Sequence, residues 1–270
     1  MLKFAQLTWN AFLNTIMDVC RAMLMPMERH MDVNAHPRLK LTYFDTEGLA
    51  QASRNTLEYG NNNFEDLRVS MEEFDVLKTS LPYGQVPVLT VDEDTTIAQS
   101  KTILRYVSKL SRTYPQNALN AALIDQWTDL HSEFLSLLAM NMYPAKHGLD
   151  EACYDAHTHR QFILQTHIPK YLQLLEDELA NTGEDEDTWL GGMNAISMAD
   201  MAWYPTLKWM QNEKFTGFTT NDMDGFPAVC KYLDEMRNQV HGVEMTASQK
   251  ETELEETEEN PESLVCKKDV

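Results

Sequence analysis

Apolar and polar residues alternate from Leu39 to Phe44, in the run LKLTYF, with the period of two that a half-buried strand requires. Tyr43 falls at the end of that run, where the chain turns through Gly48 into a helical stretch reaching toward Tyr59. Three asparagines at 61 to 63 make a loop, and FEDLRV, 64 to 69, is a second strand. An irregular acidic segment carrying Phe74 and Lys78 follows. QVPVL and TTIA are two further short β-rich runs, separated at 92 to 94 by the turn chemistry of DED. From Ser100, placed as an N-cap, a helical pattern extends to about Tyr114. The order βαβ-ββα predicts a small α/β unit with a mixed sheet over residues 37–114.

Beyond Pro115 no strand-like run survives. From Asn120 to about Met142, Leu123, Trp127, Leu130, Phe134, Leu137 and Leu138 share one helical face, and Tyr143-Pro144 ends the element. A second long helix is expected from about Glu151 to Leu179, kinked at Pro169. NTGEDEDT, 181 to 188, is a loop. Ser197 caps the next helix, and Asp200, three residues on, can bond back to the cap. That helix is almost wholly apolar, which makes it the buried centre of an all-helical domain over 120–242, closed by a last helix from Phe226 to Val240.

The two ends of the chain differ from this middle. In residues 1–36, Trp9, Phe12, Leu13, Ile16, Cys20, Met23, Leu24 and Met27 recur at helical spacing, which predicts an amphipathic helix. The segment is too polar for a signal-peptide core and, with no serine and few basic residues, makes a poor transit peptide. Two readings stand: a dispensable extension, with Met31 as an alternative start, or a helix that packs on its own domain or on a partner. Residues 243–270 are Glu-rich with almost nothing to bury, which predicts a solvated, disordered tail.

A length of 270 residues suffices for one large or two small domains with real cores. The net charge of −20 excludes nucleic acid and anionic membranes as natural partners, and no run is long enough for a transmembrane helix. Cys20, Cys153, Cys230 and Cys266 are scattered without a CxxC pair, which fits a reducing, cytoplasmic setting. No metal is expected: His157 and His159 are two apart, on different faces of any helix, and the histidines are expected to be solvated.

The candidate chemistry lies between Leu81 and Ser100. The proline of QVPVL can only open a strand, and it leaves Val86 with backbone groups that an extended peptide can pair with. A helix beginning at Gln99-Ser100 is a seat for a carboxylate. Together with LTYF, LPYGQVPVL, AQSKTILRYV and SMAD, in this order, the chain resembles the glutathione transferases, the sigma class in particular, over roughly Pro37 to Gly242. The resemblance implies an α+β fold, a thioredoxin-like N-terminal domain followed by an all-α C-terminal domain. It also implies a homodimer, glutathione as co-substrate without a metal, and a cis Val86-Pro87 bond.

By that resemblance Tyr43 is the catalytic residue, its hydroxyl donating to the sulfur of glutathione so that the thiolate attacks a small hydrophobic electrophile, the chemistry of detoxification. Without the resemblance, Tyr43 reads as a core tyrosine with a satisfied hydroxyl. Lowering a thiol pKa by about two units is worth roughly 2.7 kcal/mol, more than one neutral hydrogen bond supplies, so other groups must help. Gln99 and Ser100 are implied to hold the γ-glutamyl group and Lys78 the glycyl carboxylate. Gln85, Val86 and Pro87 are implied to run along the peptide, and Phe74 stands where the class usually has a tryptophan. An acid from the neighbouring subunit is also implied, for which Asp129 and Glu133 are the candidates, one turn apart. Phe44, Leu137, Leu138 and Met140 are the candidates for the electrophile pocket.

The pattern breaks just after Tyr43. Sigma-class enzymes usually read YFNxRGRAE, and this chain reads YFDTEGLAQ, with Glu47 and Leu49 in place of two arginines. The second of those arginines supports the thiolate, so reduced activity is expected. Three functions follow: a glutathione transferase, a non-catalytic ligand carrier or structural protein like the family's lens crystallins, and a glutathione-dependent isomerase like its prostaglandin synthases.

Overall fold

The structure is a computed structural model that describes residues 37–142, 155, 158, 161–180, 189–211 and 223–241. The expected N-terminal helix, the 181–188 loop and the acidic tail lie outside those residues. Strand β1, Leu39–Phe44, is the axis of a four-stranded mixed sheet. On one side it pairs in parallel with β2, Phe64–Val69, with Tyr43 opposite Arg68. On the other it runs antiparallel to β3, Val88–Val91, which in turn pairs with β4, Thr95–Ala98. A strand with neighbours on both sides and cover on both faces is buried nearly throughout, and Leu39, Leu41, Thr42 and Tyr43 are all buried.

Parallel strands need a crossover, supplied by a 3-10 turn at Gly48–Ala50 and helix α1, Gln51–Tyr59. Between β2 and β3 the expected irregular segment is instead a short helix, α2, Met71–Leu77. A capping box starts it: Glu73 N–H donates to the Ser70 hydroxyl at 3.2 Å, and Ser70 N–H donates to the Glu73 carboxylate at 2.7 Å. Helix α3, Ser100–Leu110, closes the unit and packs against α1. It stops short of Tyr114 because Arg112 adopts a left-handed φ of 60°.

Helix α4, Ala118–Met142, opens the helical half. Its buried residues are Ile124, Trp127, Thr128, His131, Phe134 and Leu138, a stripe turned about one position from the purely apolar one. A π-helical turn at Ile163–His167 leads into α5, Ile168–Ala180. Pro169 has no N–H to give to the carbonyl one turn back, so the irregularity sits where the kink is expected. Helix α6, Met198–Met210, is buried along almost its whole length and packs on α1, α3 and α4, and α7, Pro227–His241, packs on α5 and α6. Asp200 is the hinge of that core. One carboxylate oxygen accepts from Leu190 N–H at 3.0 Å, and the other from the N–H and hydroxyl of Ser197, at 2.8 and 2.7 Å. No helix among the described residues is long and apolar enough to cross a membrane.

The cysteines depart from the reduced state expected of them: Cys230 is disulfide-bonded, and the other three lie outside the described residues.

Candidate active site

Tyr43 ends the central strand, and the chain bends back over it immediately. The N–H of Leu49 donates to the Tyr43 hydroxyl at 3.2 Å. An oxygen that accepts one hydrogen bond becomes a better donor through its own proton, so this contact strengthens the hydroxyl as a hydrogen-bond donor. The approach depends on Gly48, whose φ is +40°; a Cβ there would stand 2.7 Å from the Tyr43 hydroxyl oxygen.

Arg54 on α1 holds the bend in place. Its side chain is 2 % exposed and donates to the carbonyls of Thr46 at 2.7 Å and Phe44 at 3.3 Å, while Nε pairs with Asp66 at 3.1 Å. The guanidinium carbon lies 5.9 Å from the centre of the Tyr43 ring. The turn that follows Tyr43 is thus tied at Phe44 and Thr46 to one buried cation. Glu47 points the other way, 49 % exposed and 3.6 Å from Lys208 of α6, and the Leu49 side chain is 46 % exposed.

A chain of ring contacts leads from Tyr43 to Phe44 at 5.4 Å and on to Phe74 at 5.2 Å, both edge to face, and Lys78 Nζ stands 5.8 Å from the Phe74 ring. Helix α2 therefore brings Phe74 and Lys78 to the end of β1. Val86-Pro87 is cis, and Pro87 precedes the first ladder residue, Val88, so the strand begins behind the proline. Gln85 is exposed and Val86 half-buried.

At the start of α3 the structure shifts the cap by one. Ser100 is the first helical residue and Gln99 the N-cap, with a φ of 73° and no capping bond from its side chain. A non-glycine residue held in that region carries strain of about 1–3 kcal/mol, characteristic of ligand clamps. The first N–H groups of α3 are thus presented without a side-chain cap.

The candidates on α4 fall into two groups. Asp129 and Glu133 are exposed, whereas Leu138 is 5 % exposed and belongs to the core; Leu137 and Met140 are half-buried. A cleft of about 720 Å³ opens at the far end of α3, lined by Lys109, Arg112, Tyr114, Pro115, Gln116 and Ala121, with none of the expected pocket residues among its walls. His157 and His159 lie outside the described residues. His131 corrects the expectation of solvated histidines: it is 2 % exposed, 2.8 Å from the Thr206 hydroxyl and hydrogen-bonded to Lys101 Nζ. Pattern reading passes over it because an imidazole in an apolar stripe looks like an interruption.

A four-stranded mixed sheet that presents a buried tyrosine, a cis-proline turn and an uncapped helix start, followed by a helical domain, defines a thioredoxin-like glutathione-binding architecture. The family models for the glutathione S-transferase N-terminal and C-terminal domains match residues 39–109 and 121–235. The chain belongs to the glutathione S-transferase family, whose members use glutathione as substrate. It is 27 % identical over 211 residues to the probable glutathione S-transferase gst-36 of Caenorhabditis elegans, covering 74 % of this chain and 98 % of that one. It is 31 % identical to glutathione S-transferase 1 of Ascaris suum, over 55 % of this chain and 70 % of the relative. Among solved structures, prostaglandin synthase D of Nilaparvata lugens superposes with a TM-score of 0.64 at 27 % identity, over 76 % of this chain and 96 % of the other.

Proposed function

We propose that the protein is a glutathione transferase in which Tyr43 activates the thiol of glutathione for attack on small hydrophobic electrophiles. The observation that carries this reading is Tyr43, buried at the end of β1, its hydroxyl accepting from the Leu49 N–H and its ring starting the chain of contacts through Phe44 and Phe74 to Lys78. The phenol donates to the sulfur as its proton leaves, and the thiolate then forms the bond to the electrophile. The uncapped start of α3 at Gln99-Ser100 takes the γ-glutamyl carboxylate, the Val86 backbone pairs with the cysteinyl unit, Gln85 and Pro87 flank it, and Lys78 takes the glycyl carboxylate. Phe44, Leu137 and Met140 receive the electrophile, and the enclosed Leu138 supports them from the core.

Homodimerisation belongs to the same reading. Tyr83, 77 % exposed at a φ of 58°, and Met71 and Val76, 59 % and 78 % exposed, leave apolar surface on the α2 side for a second copy. Asp129 and Glu133, exposed on α4, are the two candidates for the one acid that reaches into the neighbouring site. A cytoplasmic setting is also part of it, and the disulfide at Cys230 is the observation against it. A thiol count under non-reducing denaturing conditions tests this: four free thiols in protein isolated from cells support the cytoplasm.

The activity is tested by glutathione-dependent conjugation of an aryl halide, run beside binding to immobilised glutathione. Binding with no turnover over any electrophile favours the ligand-carrier reading, to which the outward-facing Leu49 gives support. Isomerisation of a lipid endoperoxide is the remaining reading, favoured by the similarity to a prostaglandin synthase.

A further inference from the structure

Lys101 is the second residue of α3, one past Ser100, where a cation opposes the positive end of the helix dipole. Its stem is partly exposed, but its ammonium group turns inward to Nδ1 of His131 on α4. The other ring nitrogen of His131 lies 2.8 Å from the Thr206 hydroxyl on α6. When Lys101 is protonated it offers donors only, so Nδ1 then accepts and Nε2 carries the ring proton, and the three side chains link α3 through α4 to α6. One turn along, Arg105 of α3 pairs with Asp125 of α4 at 2.9 Å, so the start of α3 is held against the helical domain at two points.

The groups acting on Lys101 are His131 and Asp129 from α4 and Arg105 from its own helix. Of the other charges on the packed elements, Arg54 of α1 pairs with Asp66, Lys208 of α6 with Glu47, and Asp200 of α6 accepts from Leu190 and Ser197, while Glu58 of α1, Lys109 of α3 and Glu133 of α4 are exposed. Burial lowers Lys101 to about 7, with Asp129 opposing the shift and Arg105 adding to it. Burial and the charge of Lys101 hold His131 well below the usual imidazole range. Lys101 is therefore the member of the pair that changes charge near neutral pH, and Asp129 alone does not offset the burial that disfavours its charged form.

We propose that Lys101 takes up a proton when a carboxylate occupies the start of α3, so that glutathione and a proton bind together. The proposal rests on the reading of Gln99-Ser100 as the γ-glutamyl site. A bound carboxylate offsets the positive field of that helix end and so favours the ammonium, whose extra proton donates within the cluster held by His131. By linkage, uptake makes affinity fall as pH rises between about 7 and 8.5, by at most tenfold per unit.

Titration calorimetry with S-methylglutathione, which has no thiol to ionise, tests this at about pH 8 in two buffers of different ionisation enthalpy. The expected result is uptake of a fraction of a proton by the wild type and none by Lys101→Met, with affinity falling severalfold from pH 7 to 8.5 in the former and flat in the latter. His131→Gln keeps an acceptor for Nζ, so uptake that persists in it supports Lys101 as the proton's site. Uptake lost in His131→Gln but kept in Lys101→Met assigns the proton to the imidazole and overturns the proposal. Binding without uptake in the wild type overturns it while leaving the glutathione site intact. Absence of binding by S-methylglutathione removes the Gln99-Ser100 reading itself, and the proposal with it.

Discussion

The Leu49 N–H and the Tyr43 hydroxyl are 3.2 Å apart, so the residue that lacks the family's arginine side chain still acts on the catalytic candidate through its backbone. Side chain and backbone are separable here, because the side chain turns outward while the N–H turns in.

On the proposed reading, Tyr43→Phe removes the donor to sulfur, together with the acceptor of the Leu49 N–H, and leaves the glutathione-holding groups unchanged. Turnover with an aryl halide is expected to fall roughly 10- to 100-fold, the equivalent of about one to two thiol pKa units. Affinity for S-methylglutathione, measured by calorimetry, should stay within about fivefold, because a neutral hydrogen bond is worth only about 1 kcal/mol. Turnover that is unchanged would remove Tyr43 from the mechanism.

Leu49→Arg is expected to move the pH at half-maximal turnover downward. A guanidinium about 6 Å from the sulfur favours the thiolate by roughly 0.7 to 2.8 kcal/mol, depending on how much water lies between. That is about half a unit to two units of pKa. A pH–rate profile of wild type beside the variant reads the shift; coincident profiles would show that another cation already supplies this field.

Arg54→Met should be costly even though the substituted position touches no substrate. The buried guanidinium satisfies two carbonyls of the β1–α1 turn and pairs with Asp66. Its loss leaves these acceptors exposed to a site without donors, a cost of about 2–4 kcal/mol. Urea unfolding measures it, and a change below about 1 kcal/mol would mean that water replaces the arginine.

His131 carries a pH dependence with a definite sign. The unfolded chain binds the imidazole proton at about 6.5, and the folded one holds that pKa well below. Its contribution to stability is therefore complete above about 6.5 and is lost as pH falls from there through the folded value. The urea midpoint of the wild type should drop between about pH 6.5 and 5 more steeply than that of His131→Gln, which has no such proton to take up.

How far the sequence discloses this molecule depends on whether a feature is local. LKLTYF and FEDLRV read as strands because each β-forming run is complete within six residues, and the cis bond, Tyr43 and the Gln99-Ser100 corner sit inside short motifs. Helix α2 is hidden because Met71 and Val76 stay exposed and blur its period. Counting only apolar side chains turns the α4 stripe off by one, since Thr128 and His131 are polar and yet buried. The Lys101, His131, Thr206 chain joins residues 30 and 75 positions apart on three helices, and no window along the sequence contains it.

The close approach of Gly48 to Tyr43 amounts to a single-methyl off switch. A side chain at Gly48 would press on the phenol oxygen from 2.7 Å and would also have to hold a φ of +40°. Gly48→Ala would therefore displace the hydroxyl without deleting it and without touching the α3 end of the site. If Tyr43 acts as proposed, such a variant holds glutathione and electrophile side by side with the chemistry stalled, a form suited to trapping the ternary complex with the natural, unmodified thiol.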